Sequence, residues 1–464
     1  MSSLKQLISR HLPSGERGAV IVWVSVLLIA IVGVSALVVD VGRIDVLKAK
    51  MQRACDAAAL AGAKQLPYES TAVIKAKDLA SANGFTDNQD GATVTCQRNP
   101  DGNHSGWYQV KISKPIDFFF APVLGYFNGV VTMHGTASFT TMLPLYISSS
   151  LGQYGTNGIM NLSNFGPYGQ YSYGDAYSTK WLDNGSVNPN YTDHGYDFAV
   201  KVPADYVAKN GTSHVKFEIF DPGCWNTGDA QDAGTGKVDE IRAAPSSPHP
   251  QPSSKYTKTR YQLYAPSSTP NNYDDDILIA EYTVIQDTAN DMKWVCPAGW
   301  NVDLVNYGTG SFRVNVKSLD GSSENGFNLR AGPPLANGQN FNPNNGTEVT
   351  ATGRLPINFN VGGTVTIDLG YVPAEAAGYD VFINKFDTDV GAKSITYTDD
   401  YGHSWPGTLA GDGTFKLDKI KIPSGFQGGR IHATYVAGAQ DTSSWEMYFD
   451  GQYSGGPSEL KLVD

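Results

Sequence analysis

Residues 19–39 contain no ionisable side chain, and no proline interrupts the chain between Asp40 and Pro67. The first absence leaves an uncharged apolar run of 21 residues. As helix it measures roughly 31 Å, enough to cross a hydrocarbon core about 30 Å thick. The second absence removes the usual stop signal, so the helix is expected to continue past the membrane surface as a stalk. Charge is scarce elsewhere too. Only 17% of residues are charged, 34 basic against 45 acidic, for a net charge of −11. No basic patch offers the phosphate-neutralising footprint of a nucleic-acid binder, so nucleic acid is excluded as an expected partner.

The motifs of common chemistries are missing as well. The four cysteines, Cys55, Cys96, Cys224 and Cys296, include no Cys-x-x-Cys pair, which argues against a zinc site or a thioredoxin-like motif. The eight histidines are scattered without metal-ligand spacing. There is no Gly-x-Ser-x-Gly, no His-Glu-x-x-His, no phosphate loop and no dinucleotide fingerprint. The chain is therefore read as a non-enzyme.

What is present begins with the anchor. A secretory signal has an apolar core of about 7–15 residues; this run is longer, and 18 residues precede it. Residues 1–18 are read as a cytoplasmic segment and 19–39 as a retained transmembrane helix. Lys5, Arg10 and Arg17 on one side balance Arg43, Lys48, Lys50 and Arg53 on the other, so the positive-inside rule does not choose an orientation. The turn-rich remainder, with 50 glycines and 25 tyrosines, has an extracytoplasmic composition and places the N-terminus in the cytoplasm.

Past Asp40, Ile44, Leu47, Met51, Ala54, Ala58 and Ala61 recur at alternating spacings of three and four, one face of a helix. The small residues around Ala54 to Gly62 permit close approach of a sheet or helix. A second helix is predicted over 70–83, stopped by Gly84, followed by strands at 92–97, 107–113 and 130–140. Residues 118–125 are too apolar for an exposed loop and are expected to pack a short helix on the stalk or the membrane surface. Residues 40–143 thus form an α+β module with a long helix cradled by a small sheet, a pilin-like shape.

Three segments carry a family resemblance: Glu16-Arg17-Gly18 opening the span, Asp40-Val41-Gly42-Arg43 closing it, and Cys55-Asp56-Ala57-Ala58 on the stalk. Together with Phe120-Ala121-Pro122-Val123-Leu124-Gly125 they resemble the N-terminal module of TadG-like proteins of bacterial Tad (Flp) pilus-assembly systems, over about residues 1–140. The resemblance implies a single-pass protein of the bacterial cytoplasmic membrane that assists assembly, anchoring or display of a pilus. Its partners would be other envelope proteins of that system. Two features depart from the family. The Asp-x-Ser-x-Ser metal motif of larger members is absent, and Glu16 directly follows Gly15, unlike a processed prepilin.

From about Tyr146 the pattern changes to short alternating runs broken by glycine, asparagine and proline. Antiparallel β-sandwiches, jelly-roll-like, are predicted over 144–335 and 349–464, joined by a linker at 336–348. The fold class is mainly β with an N-terminal transmembrane and stalk helix. Outside the cytoplasm an even cysteine count favours disulfides, and proximity pairs Cys224 with Cys296 and Cys55 with Cys96. For Cys55 a small buried residue on an alanine-rich face is the alternative.

Acidic loops are the site-like feature. Asp221, Asp229, Asp232 and Asp239 surround a glycine-rich loop, Asp274, Asp275 and Asp276 lie in another, and Asp387 and Asp389 form an Asp-x-Asp pair. Such loops can offer Ca2+ its six to eight oxygens, although no cofactor is required; solvated turn aspartates are the plainer reading. The dense aromatics Tyr154, Phe165, Tyr168, Tyr171, Tyr173, Tyr177 and Trp181 suggest stacking on surface glycans, against the plainer reading that half face a core. A surface adhesin or glycan-binding module on the same anchor is therefore the alternative function.

Overall fold

A computed structural model describes residues 16–147, 160–225, 239–267, 275–334, 345–359, 363–388, 393–437, 441–451 and 458–463. The chain divides into two units, Met1–Phe139 with Leu460–Asp464, and Thr140–Glu459.

The first unit is organised by helix α1 (Glu16–Ala63), 48 residues without a break. It is long and apolar enough at its N-terminal end to cross a membrane, and nothing in the described chain covers that end. Trp23, Ile21 and Ile29 stand about 70% exposed there, an apolar surface with no protein partner. The chain turns through Gly62 to Pro67 and enters α2 (Glu69–Ala82), which buries Ala72, Ala76 and Ala80. Asn83 caps it and Gly84 follows at φ +89°, the left-handed conformation that ends a helix. Strands β1 (Thr93–Arg98), β2 (Trp107–Asp117) and β3 (Asn128–Met142) then pair antiparallel in sequence order. Met51, Ala54, Ala58 and Ala59 of α1 form one core with Tyr108, Val110 and Ile112 of β2. The stripe of small residues predicted to admit a neighbour closely does so: its neighbours are this sheet and α2.

The second unit is all antiparallel sheet apart from short helical turns. Its strands are β4 (Leu145–Tyr146), β5 (Met160–Phe165), β6 (Tyr196–Val202), β7 (His214–Phe220), β8 (Lys258–Tyr264) and β9 (Leu278–Val284), then β10 (Trp294–Val295), β11 (Asn301–Asp303), β12 (Gly310–Asp320), β13 (Glu324–Gly332), β14 (Glu348–Ala351) and β15 (Arg354–Phe359). There follow β16 (Gly363–Val372), β17 (Asp380–Phe386), β18 (Ser394–Asp399), β19 (Ser404–Pro406), β20 (Phe415–Lys421), β21 (Gly429–Ala437) and β22 (Asp441–Phe449). One long sheet runs β22-β15-β5-β13-β7-β10, extended by β17 on β22 and β20 on β17. A second sheet, β4-β14-β6-β12-β8-β9, packs on it through Phe198 and Tyr261 against Phe327, and Phe312 against Phe217. A third, β16-β21-β18-β19, packs through Tyr435 against Phe359 and Trp445.

Sandwich packing therefore occurs on both sides of the expected 336–348 boundary, but the two sandwiches share their long sheet. Strand β5, from the first expected domain, pairs with β15 from the second, at Ile357 with Leu162. Strand β14 likewise pairs with β6. A single core runs from Leu143 to Phe449. The cause is visible in β5 and β13, which sit centrally and bury polar side chains. Asn328 Nδ2 donates to Asn161 Oδ1 at 2.5 Å, and Asn325 Nδ2 donates to the Tyr261 hydroxyl at 3.0 Å. Most of the proposed linker lies outside the described residues. Strand β11 gives way to a helical turn at Leu304–Tyr307, because Asp303 accepts the Val305 N–H at 3.1 Å as an N-cap.

Candidate functional site

Two of the motifs that carried the family resemblance, Asp40 to Arg43 and the Phe120-Ala121 segment, are brought together within the first unit. Asp40, buried on α1, accepts the backbone N–H groups of Phe119, Phe120 and Ala121, each at 2.8 Å. These amides open a 3-10 turn at Ala121–Leu124, whose first N–H groups have no partner within the turn. A single carboxylate satisfies them. Arg43, one turn on, donates to the Asp117 carbonyl at 3.0 Å and lays its guanidinium 3.8 Å over the Phe119 ring. Residues 118–121 are fastened to the stalk by these polar contacts, while Phe119 and Val123, expected to be covered, stay exposed. The Asp40-to-Arg43 exit motif, read in the sequence only as the end of a span, is the clasp that holds them. An acidic and a basic residue three apart, with an apolar Ala-Pro turn elsewhere in the chain, was the available signal.

Further along α1, Gln52 donates to Asp56 Oδ1 at 2.7 Å and to the His134 carbonyl at 2.9 Å. A Cβ added to Gly135 of β3 would lie 2.5 Å from Asp56 Oδ1 and 2.8 Å from its backbone N. One added to Gly62 would overlap the Tyr108 ring. Ala58 is fully buried at this seam and Ala57 half-buried beside it, whereas Gly42 has nothing within 4 Å. Glu16, Arg17 and Gly18 are helical in backbone; their side chains lie outside the description.

All four cysteines are free, which corrects both expected bridges. Register explains the longer one. Val295 of β10 pairs with Ile219, so Cys296 continues alongside Glu218 in mid-strand, while Cys224 lies beyond the other end of β7. The buried Cys224 thiol donates to the Glu324 carbonyl at 3.4 Å instead. Cys55 donates to the Met133 carbonyl of β3, and Cys96 stands opposite Val110 on β1.

The acidic candidates are dispersed. Among the described residues no three His, Cys, Asp or Glu side chains are gathered closely enough to hold an ion. Asp229, Asp232, Asp274 and Asp389 lie outside those residues. Asp276 is engaged by Arg313, which also binds Asp197 at 2.8 Å. Asp239 accepts the Trp225 and Gly326 N–H groups, each at 2.8 Å. Asp221 and Asp387 both adopt left-handed backbone, at φ +47° and +50°. Burial first, then the Asp291 and Asp287 charges, pushes the Asp221 carboxyl well above the ordinary range. The Met292 N–H favours its charged form. The aromatic stretch is also largely structural. Phe165 and Tyr177 are core, Arg242 covers the Tyr173 ring and Arg354 that of Tyr177; Tyr154 lies outside the described residues, while Tyr168, Tyr171 and Trp181 are half-buried.

One titratable group escaped the sequence reading. Glu324, at the start of β13, is fully buried, and burial, reinforced by the Glu240 charge, pushes it up to about 8. Ser163 and Thr442 hydroxyls donate to it at 2.5 and 2.9 Å. The folded state holds a proton that the unfolded chain releases near 4.5. This group's contribution is therefore full below pH 4.5 and lost as the pH rises through about 8. Glu324→Gln, which cannot ionise, is expected to flatten that loss and to stabilise the second unit at pH 8 by up to about 4 kcal/mol. Thermal melts of both proteins from pH 5 to 9 check it; parallel curves would refute it.

Comparison with known proteins bears on the helix. Residues 18–65 match the model of the Tad family, described as "Putative Flp pilus-assembly TadE/G-like". The match falls on the anchor-and-stalk helix, where the opening, exit and stalk motifs of the resemblance lie. No curated protein matches the chain. Among solved structures, that of infectious bursal disease virus Gx strain is 10% identical over 71% of this chain and 75% of its own, with a TM-score of 0.13. The N-terminal CBM22-1-CBM22-2 tandem domain from Paenibacillus barcinonensis Xyn10C is 11% identical over 78% and 92%, also at 0.13. Broad bean stain virus gives 9% identity over 68% and 91%, at 0.16. TM-scores this low carry no argument about fold or function.

Proposed function

We propose that this chain is a non-catalytic, single-pass envelope protein of a Tad (Flp) pilus system. Its N-terminus lies in the cytoplasm, and it holds a β-rich unit outside to assist pilus assembly, anchoring or adhesion. The observation that carries this reading is the unbroken helix from Glu16 to Ala63, apolar and uncovered at one end and seated on a sheet at the other. A helix built this way transmits position from the bilayer to the folded part without a hinge. Its match to the TadE/G-like model over 18–65 supports the choice of system.

Deletion of the gene tests the proposal. Piliation is expected to fall, with the tagged full chain recovered alongside pilus-machinery proteins from the membrane fraction. Unchanged piliation together with absence of the chain from those complexes would overturn it.

A further inference from the structure

Strands β2 and β3 form a hairpin whose tip, residues 118–127, is closed by the Phe118 N–H donating to the Phe127 carbonyl at 3.0 Å. The tip is apolar and open: Phe119, Tyr126 and Phe127 are each close to 70% exposed, and Val123 is 89% exposed. A cluster of this kind on a fully hydrated surface calls for a partner.

Its position names the partner. Asp40, the first residue after the uncharged run, binds three amides of the tip. Two independent lengths agree with that contact. From Asp56, which faces Gly135, back to Asp40 is sixteen residues of helix, about 24 Å. From Gly135 back to Asn128 is seven residues of strand, about 23 Å. The hairpin therefore runs the length of the stalk and ends level with the last uncharged turn of α1.

We propose that the 118–127 tip is a second membrane contact, inserting Phe119, Val123, Tyr126 and Phe127 into the headgroup–acyl boundary of the bilayer that residues 19–39 cross. This inference rests on that span being membrane-embedded. The amphipathic Tyr126 ring favours this depth, and the apolar Phe119, Val123 and Phe127 favour the acyl side of it. The Asp40 carboxylate, enclosed by three N–H donors and Arg43, brings no bare negative charge to the boundary. The Arg43 guanidinium, held over Phe119, is placed where lipid phosphates lie. One helix alone leaves the stalk free to tilt and rotate; a second contact on one side restricts both.

The test uses the full chain in nanodiscs of phosphatidylcholine and phosphatidylglycerol doped with a diazirine-bearing phospholipid, irradiated, digested and mapped by mass spectrometry. Adducts are expected within 20–39 and within 118–127, but not on Ile74 of α2, which is 58% exposed on the helix joined to the far end of α1. Adducts in 20–39 without any in 118–127 overturn the inference and leave the span standing; the tip would then belong to a protein partner. Adducts in neither remove the span reading and this inference with it. Adducts on Ile74 as frequent as at the tip overturn it as non-specific labelling. The double variant Val123→Asp, Phe127→Asp is expected to lose at least ten-fold of the tip adducts with 20–39 unchanged, and labelling equal to wild type would refute the insertion.

Discussion

Gly135→Val is expected to unseat the stalk helix from its sheet, at a cost of about 3 kcal/mol or more to the first unit. The argument is steric. A Cβ at this position meets the backbone of α1, 2.8 Å from Asp56 N and 2.9 Å from the Cys55 carbonyl carbon, and backbone cannot rotate aside as a side-chain end can. Gly62→Ala on the helix side meets the Tyr108 ring and should cost less, about 1–3 kcal/mol, because a ring can shift. Gly42→Ala supplies the control. It lies in the same helix with nothing within 4 Å, so helix propensity alone acts and the change should be neutral or stabilising by about 1 kcal/mol. Limited proteolysis and thermal melting of the detergent-solubilised chain distinguish the three. Equal stability of the Gly135 and Gly42 variants would show that the helix is not seated as described.

The seam explains why the first unit was legible in sequence. A helical period of small residues can mean only close approach, and the sheet that approaches follows within the next 80 residues, its strands in sequence order. The uncharged run needed nothing more than its length. The clasp was less legible. Asp40 and Arg43 read as the polar end of a span, and their partners at Asp117 to Ala121 belong to a hairpin tip more than 70 residues away. Proximity also misled the cysteines, since antiparallel register, invisible in spacing, carries Cys296 past β7 in the direction opposite to Cys224.

In the second unit many strands followed their apolar alternation, as Tyr196–Val202 and His214–Phe220 did. The two central strands did not. Met160-Asn-Leu-Ser-Asn-Phe and Glu324-Asn-Gly-Phe-Asn-Leu carry polar side chains where a buried strand normally carries apolar ones, so neither was read as a strand. Their burial is eased by polar groups that meet across the ladder, as Asn161 meets Asn328 and Ser163 meets Glu324. Missing them hid the shared sheet and left an expected boundary where strands in fact pair.

Lys385→Met is expected to destabilise the second unit by about 3–5 kcal/mol, the range for removing one partner of a buried ion pair. Lys385 lies on the core face of β17 in step with Val381 and Ile383, and its side chain is fully buried. Burial lowers its ammonium from the ordinary lysine value, and Asp418 of β20, at 2.5 Å from Nζ, offsets part of that cost. Burial likewise opposes the Asp418 charge. Lys385, the Thr408 hydroxyl and N–H, and the Tyr397 hydroxyl at 2.6 Å together outweigh it and hold the carboxyl below its ordinary value. Removing the ammonium leaves a buried carboxylate whose remaining donors are neutral. The sign with pH follows. Asp418 has a depressed folded value, so its contribution is present above the ordinary 3.8 and is lost as the pH falls through the folded value. In Lys385→Met the carboxyl is less depressed, so less of its contribution is left to lose in acid, and the deficit against wild type should narrow as the pH falls below 3.8. Asp418→Asn strands the ammonium in turn. The double variant should lose less than the two single losses added, since neither charge is then left alone. Denaturant melts of the four proteins at pH 7 measure that coupling, and strict additivity would show that Lys385 and Asp418 are stabilised by other neighbours and not by each other.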